Sequence, residues 1–128
     1  MSIILGYVPN ERGEAAFAKA LSMAVELDQE LIIINSSGRH SHTDPHLAAE
    51  SDLEKLVTRA QDAGISARAV RGDGGDGPDA LIEASEAAGV EMLVIGIRKR
   101  SQVGKLLLGS DAQRILLDAT CPVLAVKA

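Results

Sequence analysis

"EMLVIGIRKRSQVGKLLLGSDAQRILLDATCPVLAV" (91–126) is the stretch that decides the fold. An apolar run (92–95) meets Gly96 and a basic loop, then Gly109-Ser110 leads into a helical pattern and a second apolar run (122–127). A short run dense in Val and Ile reads as a strand buried on both faces, the habit of parallel sheets. Parallel neighbours need a crossover, and the segment between the two runs supplies one helix. "SDAQ" (110–113) opens that helix, with Ser110 read as N-cap and Gln113 as its capping-box partner. Pro122 lacks an amide hydrogen, which places its strand at a sheet edge.

The alternation continues upstream. Residues 2–8 ("SIILGYV"), 31–35 ("LIIIN") and 67–72 ("ARAVRG") read as strands, each followed by turn residues. Helical patterns lie between them. Residues 14–28 suggest an inner face of Ala15, Ala18, Leu21, Met23, Val25 and Leu27. Residues 47–63 set Leu53, Leu56, Val57 and Ala60 at helical spacing, with Gly64 as stop. Residues 78–88 begin at Pro78, favoured in a first helical turn, and end at Gly89. Strict β-α alternation predicts an α/β fold over 1–128. It is one domain with a single five-stranded parallel sheet, Rossmann-like, with helices on both faces and right-handed crossovers.

Composition narrows the function. At 46% hydrophobic and 24% charged, the 128 residues can bury a core and do not resemble a disordered chain. No apolar run approaches the roughly 20 residues of a membrane span. The start shows no secretory pattern, so the cytoplasm is the expected compartment and no membrane partner is expected. The net charge of −5 and only two aromatic residues, Tyr7 and Phe17, argue against a nucleic-acid partner. Cys121 is the sole cysteine, which excludes an intrachain disulfide and suggests a buried structural thiol.

Ligands of doubly wound sheets sit beyond the carboxyl ends of the strands, where strand order reverses. The loops after strands one, two and four are therefore the candidates. The last is the strongest. Gly96 would let a ligand approach the backbone, and Gly109-Ser110 opens a helix whose free amides favour an anion. Between Glu91 and Asp111 there is no acid, while Arg98, Lys99, Arg100 and Lys105 are all basic. The pattern suits phosphate; the alternative is that Ser110 only caps its helix and the basic residues form a solvated face. Asp111 opposes phosphate, because a carboxylate repels it.

"VIG" (94–96), "GKLLLGS" (104–110), "ILLDATCPVLAV" (115–126) and "AGVEMLVIG" (88–96) together resemble the universal stress protein family. The resemblance spans the chain and is most specific over 88–127. It implies an adenine nucleotide alpha hydrolase-like domain in a stress-response protein that binds ATP or AMP, with Mg as the companion of ATP. It also implies a homodimer through the last strand. The family motif Gly-x2-Gly-x9-Gly-Ser/Thr carries over to Gly96, Gly109 and Ser110, with Arg98 beside it, but Lys99 occupies the second glycine position. The family's ribose-binding Asp after strand one falls at Pro9, where Asn10 could offer an amide instead. Backbone near Ile34 and Asn35, after strand two, would lie against the adenine. The alternative is a nucleotide-free dimeric interaction or regulatory module of the same fold.

Other chemistries fit less well. His40, His42 and His46, with Asp44, have zinc-like spacing but sit in a polar loop with nothing to orient the rings, so no metal site is expected. "RGDGGDGPDA" (71–80) lacks the ligand order of a calcium loop. A phosphorelay receiver needs clustered aspartates after strand one, a flavodoxin needs a hydroxyl-rich loop there, and a nucleotidyltransferase needs His-x-Gly-His. None is present. No nucleophile-base arrangement stands out, so no catalytic residue is assigned and any ATP hydrolysis would be slow and incidental.

Overall fold

Ile3, Ile4 and Leu5 are all buried, yet they face opposite ways: Ile3 and Leu5 join one core cluster and Ile4 another. This is a strand covered by helices on both sides, as the dense apolar runs predict. The computed structural model describes residues 1–35, 48–71, 77–98 and 109–128. Five strands, β1 (Ser2–Gly6), β2 (Glu30–Asn35), β3 (Ala67–Arg71), β4 (Val90–Ile97) and β5 (Val123–Lys127), alternate with four helices. The helices are α1 (Glu11–Leu27), α2 (Glu50–Asp62), α3 (Gly77–Ser85) and α4 (Ser110–Asp118). All pairings are parallel, in the order β3-β2-β1-β4-β5. The expected α/β architecture is the observed one, and β5 is an edge strand as Pro122 required.

The order reverses between β1 and β4. The chain first steps outward from β1 through β2 to β3, then crosses back to β4 and on to β5. α1 and α2 bury Phe17, Ala20, Leu53 and Leu56 against Leu5, Leu31 and Val94. α3 and α4 bury Leu81 and Ile115 against Ile4, Leu93 and Ile95 on the other face.

Helix α1 departs from the expected phase. Its buried residues are Gly13, Ala16, Phe17, Ala20 and Ala24, while Ala18, Val25 and Leu27 of the expected inner face are exposed. The reason is spacing. Met23, Val25 and Leu27 repeat every two residues, which no helical face can collect. Ala16, Ala20 and Ala24 repeat every four, and their small side chains bring the helix close to the sheet. α1 also begins at Glu11, three residues before the predicted start, with Asn10 Oδ1 accepting from Gly13 N at 3.1 Å as N-cap. The α2 stripe is as expected: Leu53, Leu56 and Ala60 are buried and Val57 half-buried. α3 stops at Ser85, short of the predicted 88, and Gly89 (φ +82°) completes the turn into β4.

Two glycines set how α1 meets the sheet. A Cβ at Gly13 would stand 1.6 Å from the Val8 carbonyl oxygen, and one at Gly96 would stand 2.2 Å from the Arg12 carbonyl oxygen. The first turn of α1 is thus pressed against the ends of β1 and β4. The space left by Gly96, expected to admit a ligand, is filled by this turn.

A polar staple joins the neighbouring strand ends. Asn35, 2% exposed, donates from Nδ2 to Tyr7 O at 2.9 Å and accepts on Oδ1 from Ala48 N at 3.0 Å and Arg71 Nη1 at 3.2 Å. Arg71 Nη2 also donates to Ala48 O. The ends of β1, β2 and β3 and the approach to α2 are held by one amide and one guanidinium. Ion pairs Arg59–Glu14 (2.7 Å) and Arg114–Asp79 join helices on each face. Their half-exposed groups contribute at most about 1 kcal/mol each.

Two substitutions test this packing. Gly96→Ala should cost about 2–3 kcal/mol in urea unfolding, because its Cβ meets backbone rather than a yielding side chain. Gly109→Ala, with nothing within 4 Å, should cost no more than about 1 kcal/mol as the loss of a glycine cap. Equal losses at the two positions would refute the close-packing account. Asn35→Ala leaves a buried carbonyl and a buried amide without their partner, and should lower unfolding free energy by about 3 kcal/mol.

Candidate functional site

A cleft opens where the strand order reverses. Gly6, Tyr7 and Val8 from the end of β1 line it, with Ile34 from β2 and Ile95 and Gly96 from β4. Gly77 and Leu81 of α3 and Asp111, Ala112 and Ile115 of α4 form the opposite wall, and Arg12 of α1 closes the side. Parallel strands place their carboxyl ends and the following helix starts at one rim, so these distant segments converge there.

The floor is apolar. Ile34, Leu81, Ile95 and Ile115 are buried, and Gly6 keeps the floor open: a Cβ there would meet Leu81 Cδ1 at 2.7 Å. Tyr7 contributes backbone to the rim while its ring joins the α1–α2 core. Burial pushes its phenol above the ordinary value, with Glu14 and Asp52 adding to the rise and Arg59 opposing it. It is therefore a neutral packing group at physiological pH.

The start of α4 differs from the predicted capping box. Gly109 (φ −57°, ψ 155°) is the N-cap, Ser110 is the first helical residue, and no side chain caps the helix. Gln113 N donates to Gly109 O at 3.0 Å, which is the first helical bond. Glycine already takes the extended cap conformation, which moves the start back by one residue. The early amides of α4 consequently have no side-chain acceptor and suit an anion. Asp111 in that first turn is exposed and lines the cleft.

The predicted residues divide into groups. Gly96 and Ile34 line the cleft, and Gly109 and Ser110 stand at the α4 end of it. The Ile34 carbonyl accepts from Tyr7 N at 2.9 Å, so the sheet already uses it. Pro9 and Asn10 do not line the cleft, although their neighbours Val8 and Arg12 do, and Asn10 Oδ1 is engaged as the α1 cap. Arg98 is exposed just beyond β4. Lys99, Arg100, Lys105, the three histidines and the acidic loop 72–76 lie outside the described residues. Among the described residues no group of three or more His, Cys, Asp or Glu side chains could hold a metal.

Sequence reasoning missed Arg12. Placing the start of α1 at Asn10 would have found it, because the first turn of a helix after a strand faces the ligand rim. Cys121 lies at the opposite rim, before β5. It is half-buried rather than buried, and desolvation raises its thiol above the ordinary range. No described helix is long and apolar enough to cross a membrane.

The cleft measures about 120 Å³. Whole-ligand pockets are commonly about 300–1,000 Å³, so this cleft would enclose only part of a ligand of that size. Larger grooves exist, about 660 Å³ between α2 and β3 and about 450 Å³ near the amino ends of β1 and β2. Neither is at the reversal point, so neither gathers the free amides of a helix start. The lining offers an anion-favouring rim and an apolar floor, with Asp111 the one carboxylate among the described lining residues. That combination binds. Among the described lining residues no pair of groups suited to acid-base chemistry stands together.

Known proteins agree with this architecture. A protein from Mycolicibacterium smegmatis described as a universal stress protein is 38% identical over 98% of this chain and 96% of its own length. A solved universal stress protein from Archaeoglobus fulgidus superposes with a TM-score of 0.78 at 25% identity, covering 98% of this chain and 97% of that one. A structure of the universal stress protein from Archaeoglobus fulgidus in complex with dAMP shares the fold, with a TM-score of 0.72 and 19% identity over 98% and 96% of the two chains. The model of the universal stress protein family matches residues 1–127, and with that match this chain belongs to the universal stress protein family.

Proposed function

We propose that this protein is a stress-response protein that binds an adenine nucleotide in the cleft between β1 and β4. The observation that carries the reading is the coincidence, at the reversal point, of an open apolar floor and an uncapped α4 start. The dAMP complex of the Archaeoglobus protein supports the class of ligand. The phosphates lie toward Gly109 and Ser110, and by sequence Arg98 and Lys99 are the basic residues proposed to meet them. The adenine extends past Ile34, and ATP brings its own Mg²⁺. The protein works in the cytoplasm, as one domain over 1–128, and hydrolysis is not its task.

A specific observation favours the second reading, a nucleotide-free interaction module. The first turn of α1 fills the space at Gly96, and the cleft is small. Calorimetry separates the two readings. Titration with ATP, ADP and AMP in the presence of Mg²⁺ should give dissociation constants in the micromolar range or weaker. Absence of both heat and thermal shift at millimolar ATP would establish the nucleotide-free module. Lys99→Gly then tests that position: tighter binding marks Lys99 as an obstruction, and weaker binding marks it as a ligand group.

The protein pairs as a homodimer through β5. In support, Val123, Leu124, Ala125 and Val126 are only half-buried on an edge strand, and Leu117 of α4 is 75% exposed. An apolar edge of this kind seeks a partner strand. Sedimentation should find twice the 13.4 kDa chain mass at tens of micromolar protein, and Leu117→Glu should shift it toward monomer. A monomer at that concentration would refute the pairing.

A further inference from the structure

We infer that Arg12 is the anion-binding group of the cleft: its guanidinium receives the ligand's phosphate from the α1 side, opposite the start of α4. The inference rests on the reading of this cleft as the ligand site, but not on the ligand being an adenine compound.

The position is built by packing. Gly13 and Gly96 press the first turn of α1 onto the ends of β1 and β4, and a Cβ at Gly96 would come within 2.9 Å of Arg12 Cβ. The root of the side chain is therefore fixed at the cleft wall, and Arg12 is half-buried there. Its charge has no local cause. The other charged residues of this first turn, Glu11 and Glu14, suit the positive helix end, where a cation is unfavourable.

Its isolation is the second observation. Arg59 pairs with Glu14, Arg68 with Glu30, and Arg114 with Asp79, while Arg71 binds Asn35 and Ala48 O. Among the described residues Arg12 makes no ion pair and no side-chain hydrogen bond. A half-buried arginine that lines a cleft and has no partner among the described residues offers its guanidinium to phosphate, which it can bind through two parallel bonds.

The opposite wall gives direction. Asp111 lines the cleft and no ion pair joins it to Arg12. Its carboxylate offsets the pull of the α4 amides on a phosphate, so the net attraction for the ligand's charge comes from Arg12 across the cleft. The ligand class is accordingly a phosphorylated sugar or nucleotide, selected over its unphosphorylated counterpart by Arg12.

The test compares AMP, adenosine and inorganic pyrophosphate on the full chain and on Arg12→Gln, Arg12→Lys and Asp111→Asn variants, by calorimetry and competition. Thermal unfolding of the free proteins verifies folding, and Arg12→Lys serves if Arg12→Gln does not fold. Wild type should prefer AMP over adenosine by about tenfold, as expected for hydrogen bonds to a charged group. Pyrophosphate should compete with AMP. Arg12→Gln should reduce AMP to the adenosine level and abolish pyrophosphate competition, with adenosine affinity unchanged. Arg12→Lys should fall between, and Asp111→Asn should tighten AMP. A full AMP preference in Arg12→Gln overturns the inference and leaves the nucleotide reading intact. Pyrophosphate binding that depends on Arg12, with no binding of AMP or adenosine, upholds the inference and refutes the nucleotide reading. If none of the three probes binds wild type, both are refuted.

Discussion

Helix α1 is seated on the sheet backbone to backbone at Gly13 and Gly96. Val8 O and Arg12 O occupy the places where side chains of residues 13 and 96 would begin. Backbone against backbone leaves no rotamer to adjust, so this contact sets the height and tilt of α1 over β1 and β4. The small residues Ala16, Ala20 and Ala24 continue it along the helix. The two central strands, the reversal of strand order and the mouth of the cleft all meet there. The packing requirement and the wall of the cleft are thus built from the same few residues.

This overlap changes the meaning of the glycine motif. A glycine after β4 looks like room for a phosphate, yet its room is taken by the helix. What remains available for a ligand is the uncapped start of α4 and the side chains around it. The cleft is polarised, with Arg12 on the α1 side and Asp111 on the α4 side. The Asn35–Arg71 staple holds the adjoining strand ends, so the rim is stiffened by buried hydrogen bonds while the ligand face stays open.

Much of the fold was legible in the sequence because burial on both faces forces dense apolar runs. The runs at 3–5, 31–34 and 92–95 suited strands buried on both faces, as in parallel sheets, and Pro122 marked an edge. The α2 stripe was legible for the same reason. The phase of α1 was not. Twelve of its 17 residues are small or apolar, so hydrophobicity alone does not single out one face, and the decisive property is the size of Ala16, Ala20 and Ala24. In the site, Gly96 and Ile34 were found because strand ends locate the rim. Arg12 was hidden by a helix start read three residues late, and Asn35 was read only for its backbone because its side-chain partners are far away in the chain.

By itself the sequence determined the element order, the parallel sheet and the rim at which a ligand would sit, because these follow from local periodicity and from the handedness of crossovers. The tertiary structure alone decided which groups face that ligand. Contacts such as Gly96 with Arg12 and Asn35 with Arg71 join residues 84 and 36 positions apart, and no local pattern encodes them. They exist because strands distant in the chain end side by side, which is a property of the packed sheet.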